Sequence, residues 1–166
     1  MGGLLILGAG QHGRVVKELA ELTGQYEQID FLDDKSEFAI GTLSDYLKYR
    51  ERYEAAHVAF GNPKLRKEWI DKLSAAGYEL PVIAHPTAVV SKSASIGQAV
   101  VIGPFAVVNT ESVVNCGTIL SAGAKIDHNA SIGEYCHVDC GAIVECNAIV
   151  PDGIKIEAGN VFRRDS

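Results

Sequence analysis

In the second half of the chain a large apolar residue returns every six positions: Val90, Ile96, Ile102, Val108, Val114, Leu120, Ile126, Ile132, Val138, Val144, Val150, Ile156 and Phe162. In a chain that is 47% hydrophobic, thirteen consecutive hits in any of six phases arise by chance on the order of once in a few thousand trials. Two places before most of them stands a small residue, as at Ala88, Ala94, Ala106, Ser112, Thr118, Ala124, Ala130, Cys136, Ala142 and Ala148. Neither the helical period nor strand alternation yields this double register. A period of six is the mark of a parallel β-helix, with one short strand and one corner per unit and stacked turns burying a continuous core. Three units close a turn, so residues from about 86 to 162 make roughly four turns. The large apolar side chains are expected inside. The residue after each, such as Gly97, Gly103, Asn109, Asn115, Asp127, Gly133 or Asp139, is expected to take the unusual backbone conformation of the corner.

The first half is built differently. Residues 4–7 read as an apolar strand running into Gly8-Ala9-Gly10-Gln11-His12-Gly13, after which Val15, Val16, Leu19 and Leu22 keep helical spacing up to Gly24. Residues 29–32 read as a second strand ending at Asp33 and Asp34. A helix is expected from Ser44, its cap, to about Ala56, and a third strand over residues 57–60. Asn62 and Pro63 then open a helix with Leu65, Trp69 and Leu73 as its buried stripe and Gly77 at its end. Alternating strand and helix predict a small Rossmann-like α/β domain with a parallel sheet over residues 1–84, and residues 85–166 form the β-helix domain.

A net charge of −6 argues against a nucleic-acid or anionic-membrane surface, which needs a basic patch. Met1 leads into a short apolar run with no basic leader, and no stretch approaches membrane-spanning length, so a cytoplasmic protein is expected. Cys116, Cys136, Cys140 and Cys146 lack paired metal-ligand spacing such as CxxC, and structural thiols with no metal are expected.

Glycines after a first strand let backbone N–H groups and a helix N-terminus approach a phosphate. Asp33 lies where a dinucleotide-binding unit places the acid that holds a ribose hydroxyl. A tight turn needing glycine for packing alone and an NAD site remain alternatives, although a domain this small has room for one mononucleotide-binding half, which suits a sugar nucleotide better. His12 either faces the sugar or caps the turn.

Together, the string from Ile6 to Gly13, Phe31-Leu32-Asp33-Asp34, Phe60-Gly61-Asn62 and His85-Pro86-Thr87-Ala88 ahead of the hexapeptides resemble the sugar acyltransferases typified by sialic-acid O-acetyltransferase and the UDP-4-amino-sugar N-acetyltransferase of bacillosamine synthesis. The resemblance covers nearly the whole chain. It implies a left-handed β-helix, a homotrimer, acetyl-CoA as co-substrate held between neighbouring β-helices, and a nucleotide sugar held by Gly8, Gly10, Gln11, His12, Gly13, Asp33, Asp34, Gly61 and Asn62. It points to His128 as the catalytic base, with Asn129 beside it, and to His137 as a second active-site histidine that also faces the coenzyme. A neutral imidazole suits removal of an amine proton near pH 7, whereas spacing alone leaves His128 open to being an ordinary surface histidine at a corner.

The eighteen-residue turn predicts Cys146 directly over His128 and Thr110 directly below. The family commonly carries glycine at the Cys146 position, where a backbone N–H near the acetyl carbonyl stabilises the oxyanion, and an acidic residue at the Asn129 position. Glu145, stacked over Asp127, is expected to compensate in part for that missing charge. Residues 151–159 read as a final turn where family members continue further, which would shorten the coenzyme groove. That departure keeps a second class open, a non-catalytic relative that binds a nucleotide sugar or acts as a trimeric assembly module.

Overall fold

The computed structural model describes residues 2–164. The chain divides into two compact units, Met1–Ile83 and Ala84–Ser166.

In the first unit four parallel strands form a sheet in the order β3-β2-β1-β4, with β1 at Gly3–Leu7, β2 at Gln28–Leu32, β3 at Ala39–Gly41 and β4 at Ala55–Val58. The fully buried β1 lies between β2 and β4. The chain steps outward through β2 and β3 and then crosses to the other side, so the strand order reverses at β1, and ligands in open α/β sheets bind outside the carboxyl ends of strands at such a point. Helix α1 (Gln11–Thr23) starts there and ends on Gly24, whose φ of 64° is left-handed. Gly13 permits this packing, because a Cβ there would lie 1.9 Å from the Gly8 carbonyl oxygen. The buried side of α1 is Gly13, Val16, Leu19 and Ala20, whereas Val15 and Leu22 are exposed.

Three expectations for this unit are corrected. The helix expected from Ser44 to Ala56 is a 3₁₀ helix at Leu43–Tyr49, capped by Thr42 through a reciprocal box in which Asp45 Oδ2 accepts from the Thr42 amide at 2.9 Å. Residues 55 and 56 go instead to β4, where burial against β1 overrides their helix propensity. In α2 (Pro63–Ala75) the buried stripe is Arg66, Ile70 and Leu73, one position on from Leu65, which is exposed. Trp69 is half-buried, edge-on to Tyr46 at 5.7 Å. Asn62 caps α2 as expected, its Oδ1 accepting from Leu65 N–H at 3.0 Å.

The second unit is the left-handed parallel β-helix. Two-residue strands stack into three parallel sheets of four, five and five strands. The register is eighteen residues throughout, so that Val108 pairs with Ile126 and Ile126 with Val144. The inward aliphatics from Ile102 to Ile156 and the small residues two places before them form one continuous core, with Cys136, Ser112 and Thr118 fully buried in the small register. The corner conformation falls elsewhere than expected. The left-handed residue comes three places after each inward aliphatic, at Ala99, Phe105, Glu111, Gly117, Gly123, Asn129, Tyr135, Gly141, Asn147, Gly153 and Gly159, all with φ between 54° and 71°. It is the third residue of a turn closed by a bond such as Ala130 N–H to Asp127 C=O at 3.3 Å, the arrangement that requires positive φ at that place. Six of these residues are not glycine, a strain of about 1–2 kcal/mol each. A bond to the coil below offsets it at most of them, as Asn129 N–H donates to Thr110 C=O at 2.9 Å and Asn147 N–H to His128 C=O at 3.2 Å. Gly97, Gly103 and Gly133 serve close approach, since a Cβ there would come within 2.8 Å of the next coil's backbone.

Candidate active site

The corner Asp127–Ala130 turns its first three residues away from the core, Ala130 being buried in it, and carries the densest chemistry of the second unit. Strand Lys125–Ile126 delivers it and strand Ser131–Ile132 leads away. His128 is exposed at the second place of the turn. Its Nδ1 lies 3.0 Å from Asn129 Oδ1, and Asn129 Nδ2 donates to Glu111 Oε2 at 2.7 Å. Since the amide nitrogen faces the carboxylate, its oxygen accepts, so in the neutral ring Nδ1 carries the proton and Nε2 the lone pair. Asp127 Oδ1 accepts from the His128 backbone N–H at 2.7 Å and from Asn109 Nδ2 at 3.2 Å. One turn above, Cys146 brings its thiol to the cluster: donor atoms of Asp127, His128 and Cys146 lie within 4.8 Å of one another. On the adjoining sheet face a shallow concavity of about 240 Å³ is lined by Val107, Asn109, Lys125, Ile126, Asp127 and Ile143.

The Glu145 expectation is corrected here. Glu145 is held by Arg163 at 2.9 Å, and the carboxylate that reaches the neighbour of His128 is Glu111, on the coil below. The eighteen-residue register contained this signal, since residue 111 stacks beneath 129 as 110 does beneath 128.

His137 does not join this corner within one chain. It stands on strand His137–Val138, one full face beyond, with Nε2 2.9 Å from Ser121 Oγ and 3.7 Å from Asp139 Oδ1. The Cys140 amide bonded to Asp139, and then Lys155, hold that carboxyl below the usual carboxylate range.

In the first unit the glycine loop follows β1. Gly10 precedes α1 with no side-chain cap, the first turn holds no acidic residue, and a Cβ on Gly10 or Gly61 would meet nothing within 4 Å. The N-terminus of α1 is thus open to an anion in a way that α2, closed by Asn62, is not. Gly8 has φ 102° and packs on Phe60. Asp33 holds the loop, since its Oδ2 accepts from Ala9 N–H at 2.9 Å and its Oδ1 from the Lys35 and Ser36 amides. The Ala9 bond first, then those of Lys35 and Ser36, draw its carboxyl below the usual range. Asp34 Oδ1 accepts from Leu43 N–H at 2.9 Å. Asp33 therefore ties its own turn to the glycine loop, and Asp34 ties that turn to the start of the 3₁₀ helix. Gln11 is exposed and His12 half-buried at the start of α1.

Sequence reading did not single out His57 and Arg66. His57 is buried on β4, and burial, then the nearby His12 and Arg66, push its imidazole down to about 3. Arg66, also buried, donates from Nη1 to the carbonyls of Phe60 at 2.7 Å and Gly61 at 3.1 Å, fixing the second glycine turn from below. A larger concavity of this unit, about 340 Å³ along α1 and β2, is lined by Arg14, Lys17, Phe31 and Phe38 among others and holds none of the expected residues. No helix among the described residues is long and apolar enough to cross a membrane.

Residues 3–73 match the family described as the PglD N-terminal domain. Over 107 residues the chain is 30% identical to the UDP-N-acetylbacillosamine N-acetyltransferase of Bacillus subtilis (strain 168), a match covering 59% of the chain and 50% of that enzyme. The chain thus aligns with about half the length of this curated relative. The acetyltransferase domain of PglB from Neisseria gonorrhoeae FA1090 superposes with a TM-score of 0.68 at 33% identity, over 98% of this chain and 91% of that one. The same domain in complex with acetyl coenzyme A gives 0.62 at 30% identity, over 97% and 92%. PerB from Caulobacter crescentus, in complex with CoA and GDP-perosamine, shares the fold with a TM-score of 0.70 at 22% identity, over 97% and 91%.

Proposed function

We propose, from the premise that the chain belongs to the hexapeptide-repeat sugar acyltransferases of the sialic-acid O-acetyltransferase and bacillosamine N-acetyltransferase type, that it transfers an acetyl group from acetyl-CoA to the amine, or a hydroxyl, of a nucleotide-linked sugar. The observation that carries this reading is the corner at His128: an exposed imidazole whose Nδ1–H is directed onto Asn129 while Nε2 is left as a base. As the acceptor nitrogen attacks the thioester carbonyl, Nε2 removes its proton, the tetrahedral centre collapses and the coenzyme leaves as thiolate. Asn129 orients the ring, and Glu111 is a positioning residue that keeps the amide oxygen toward Nδ1. The carboxylate acts through a neutral amide and supplies orientation more than charge.

The concavity beside Lys125 and Asp127 suits the coenzyme's arm, with the Cys146 backbone N–H toward the acetyl oxygen. The open N-terminus of α1, with Gly8, Gly10, Gln11, His12 and Gly13, takes the phosphates of the nucleotide sugar. Asp33, Asp34, Gly61 and Asn62 shape that pocket more than they ligate. His137, a face away from His128, contributes to a shared site across a subunit boundary, which calls for a homotrimer, and the reaction belongs in the cytoplasm.

Incubating the protein with acetyl-CoA and a panel of UDP- and GDP-linked amino sugars, and following thiol release, tests this. Release with at least one sugar is expected, falling about 10²- to 10⁴-fold in His128→Ala while the variant stays folded. Sugar-nucleotide binding without thiol release would instead indicate a non-catalytic relative.

A further inference from the structure

We propose that Asp127, His128 and Cys146 form a binding site for a borderline-soft divalent cation, zinc in the first instance, and that the bound cation inhibits acetyl transfer by occupying the imidazole lone pair. Stacking brings together a thiol, an imidazole and a carboxylate whose donor atoms lie within 4.8 Å of one another. Tetrahedral zinc, with bonds of about 2.0 to 2.3 Å, asks its ligands to stand roughly 3.3 to 3.8 Å apart, so rotations of side chains at a partly open corner suffice. The backbone beneath is already fixed by the bonds of Asn129 to Thr110 and Asn147 to His128. Asn129 holds the ring's Nδ1 and so leaves Nε2 to a metal, as the outer partner of a ligating histidine does. Asp127 Oδ1 is engaged by two N–H donors, which leaves Oδ2. A thiolate in the donor set selects zinc over magnesium, calcium or manganese. Three protein ligands leave a fourth position for water or an incoming thiol.

No bond to carbon is made or broken. The thiol loses its proton to solvent as the metal–sulfur bond forms, so affinity rises with pH. Binding rests on this geometry alone, and only the inhibition rests on His128 acting as the base. The cation is not a cofactor here, since acetyl transfer needs the same nitrogen free.

Metal-free protein titrated with cobalt(II) tests the site without any turnover. One cobalt per chain is expected, with near-ultraviolet absorption from thiolate-to-cobalt charge transfer that is lost in Cys146→Ser and kept in Cys140→Ser, whose cysteine is exposed elsewhere on the β-helix. Absence of that absorption in the wild type, or its persistence in Cys146→Ser, overturns the site. Zinc is then expected to stop thiol release reversibly, a chelator restoring it, and Cys146→Ser to need at least about tenfold more zinc for the same fractional inhibition. A protein that turns over, binds cobalt through Cys146 and ignores zinc overturns the inhibitory half. Without any turnover that half falls with the acetyl-transfer reading, while the cobalt spectrum still decides the site.

Discussion

The left-handed corner glycines of the β-helix and Gly13 of the α/β unit answer different demands, and the contrast shows where each place tolerates chemistry. In the β-helix, corner glycines such as Gly141 supply a left-handed φ and look onto open space. Asparagine, glutamate and tyrosine take the same place elsewhere because the coil below satisfies their amides. In the α/β unit Gly13 is there for room, with the Gly8 carbonyl against the place of its missing side chain. A corner of the β-helix is thus free to acquire a histidine, an amide or a thiol without touching the core. The glycine loop serves packing and ligand approach together.

The sharpest way to break this contrast is with alanine. Gly13→Ala puts a Cβ 1.9 Å from a carbonyl oxygen, so α1 must shift off β1, and a loss of more than about 4 kcal/mol is expected. The chain's single tryptophan, Trp69 in α2, reports the unfolding of this unit alone by fluorescence. Gly141→Ala costs only the backbone strain, about 1–2 kcal/mol. Gly10→Ala meets neither obstacle and is expected to change stability by less than about 0.5 kcal/mol while weakening sugar-nucleotide binding. Equal losses at positions 13 and 141 would remove the distinction.

A second difference is acid sensitivity. The α/β unit buries a histidine, and the buried polar side chains of the β-helix among the described residues are Ser112 and Thr118. His57 titrates at about 3 when folded and near 6.5 when unfolded. Between those values the unfolded chain binds the extra proton, so stability is full above about pH 6.5 and falls as pH drops toward 3. By pH 5 the loss is about 2 kcal/mol. Urea unfolding followed at Trp69 should show this slope, flattened in His57→Gln. A slope of equal size in the circular dichroism of the β-helix would place its cause elsewhere.

The same division governed what was legible in the sequence. Position in the β-helix follows from counting by six and by eighteen, so the core, the register and the stacking of Cys146 over His128 could be read in advance. The place of the left-handed residue could not, because it depends on which turn closes the corner, and glycine or asparagine two places earlier gives a false cue. In the α/β unit, strand and helix order was readable from periodicity and caps. The 3₁₀ helix, β3 and the buried Arg66 were not, since each is decided by what faces it across the fold. The Asp33 and Asp34 pair shows what geometry adds to a motif: spacing suggested a ribose acid, and the structure bonds Asp33 to the glycine loop at Ala9 and to its own turn at Lys35, and Asp34 to Leu43 at the start of the 3₁₀ helix.

The smallest expected effect asks whether the β-helix, tolerant as its corners are, still couples one turn to the next in function. Glu111 and Asn129 occupy the same corner place eighteen residues apart, and the carboxylate fixes which end of the amide meets His128. Glu111→Ala frees that amide to turn over, presenting an N–H to Nδ1 and moving the ring's proton to Nε2, where it blocks the base. A fall of about tenfold in kcat with KM within about twofold is expected, with Glu111→Gln recovering most of it because its carbonyl still accepts from Asn129. Glu145→Gln, which loses only an exposed pair with Arg163, should leave kcat unchanged. If instead KM rises and kcat holds, or position 145 matters as much as 111, the coil below His128 supports the corner without orienting the base.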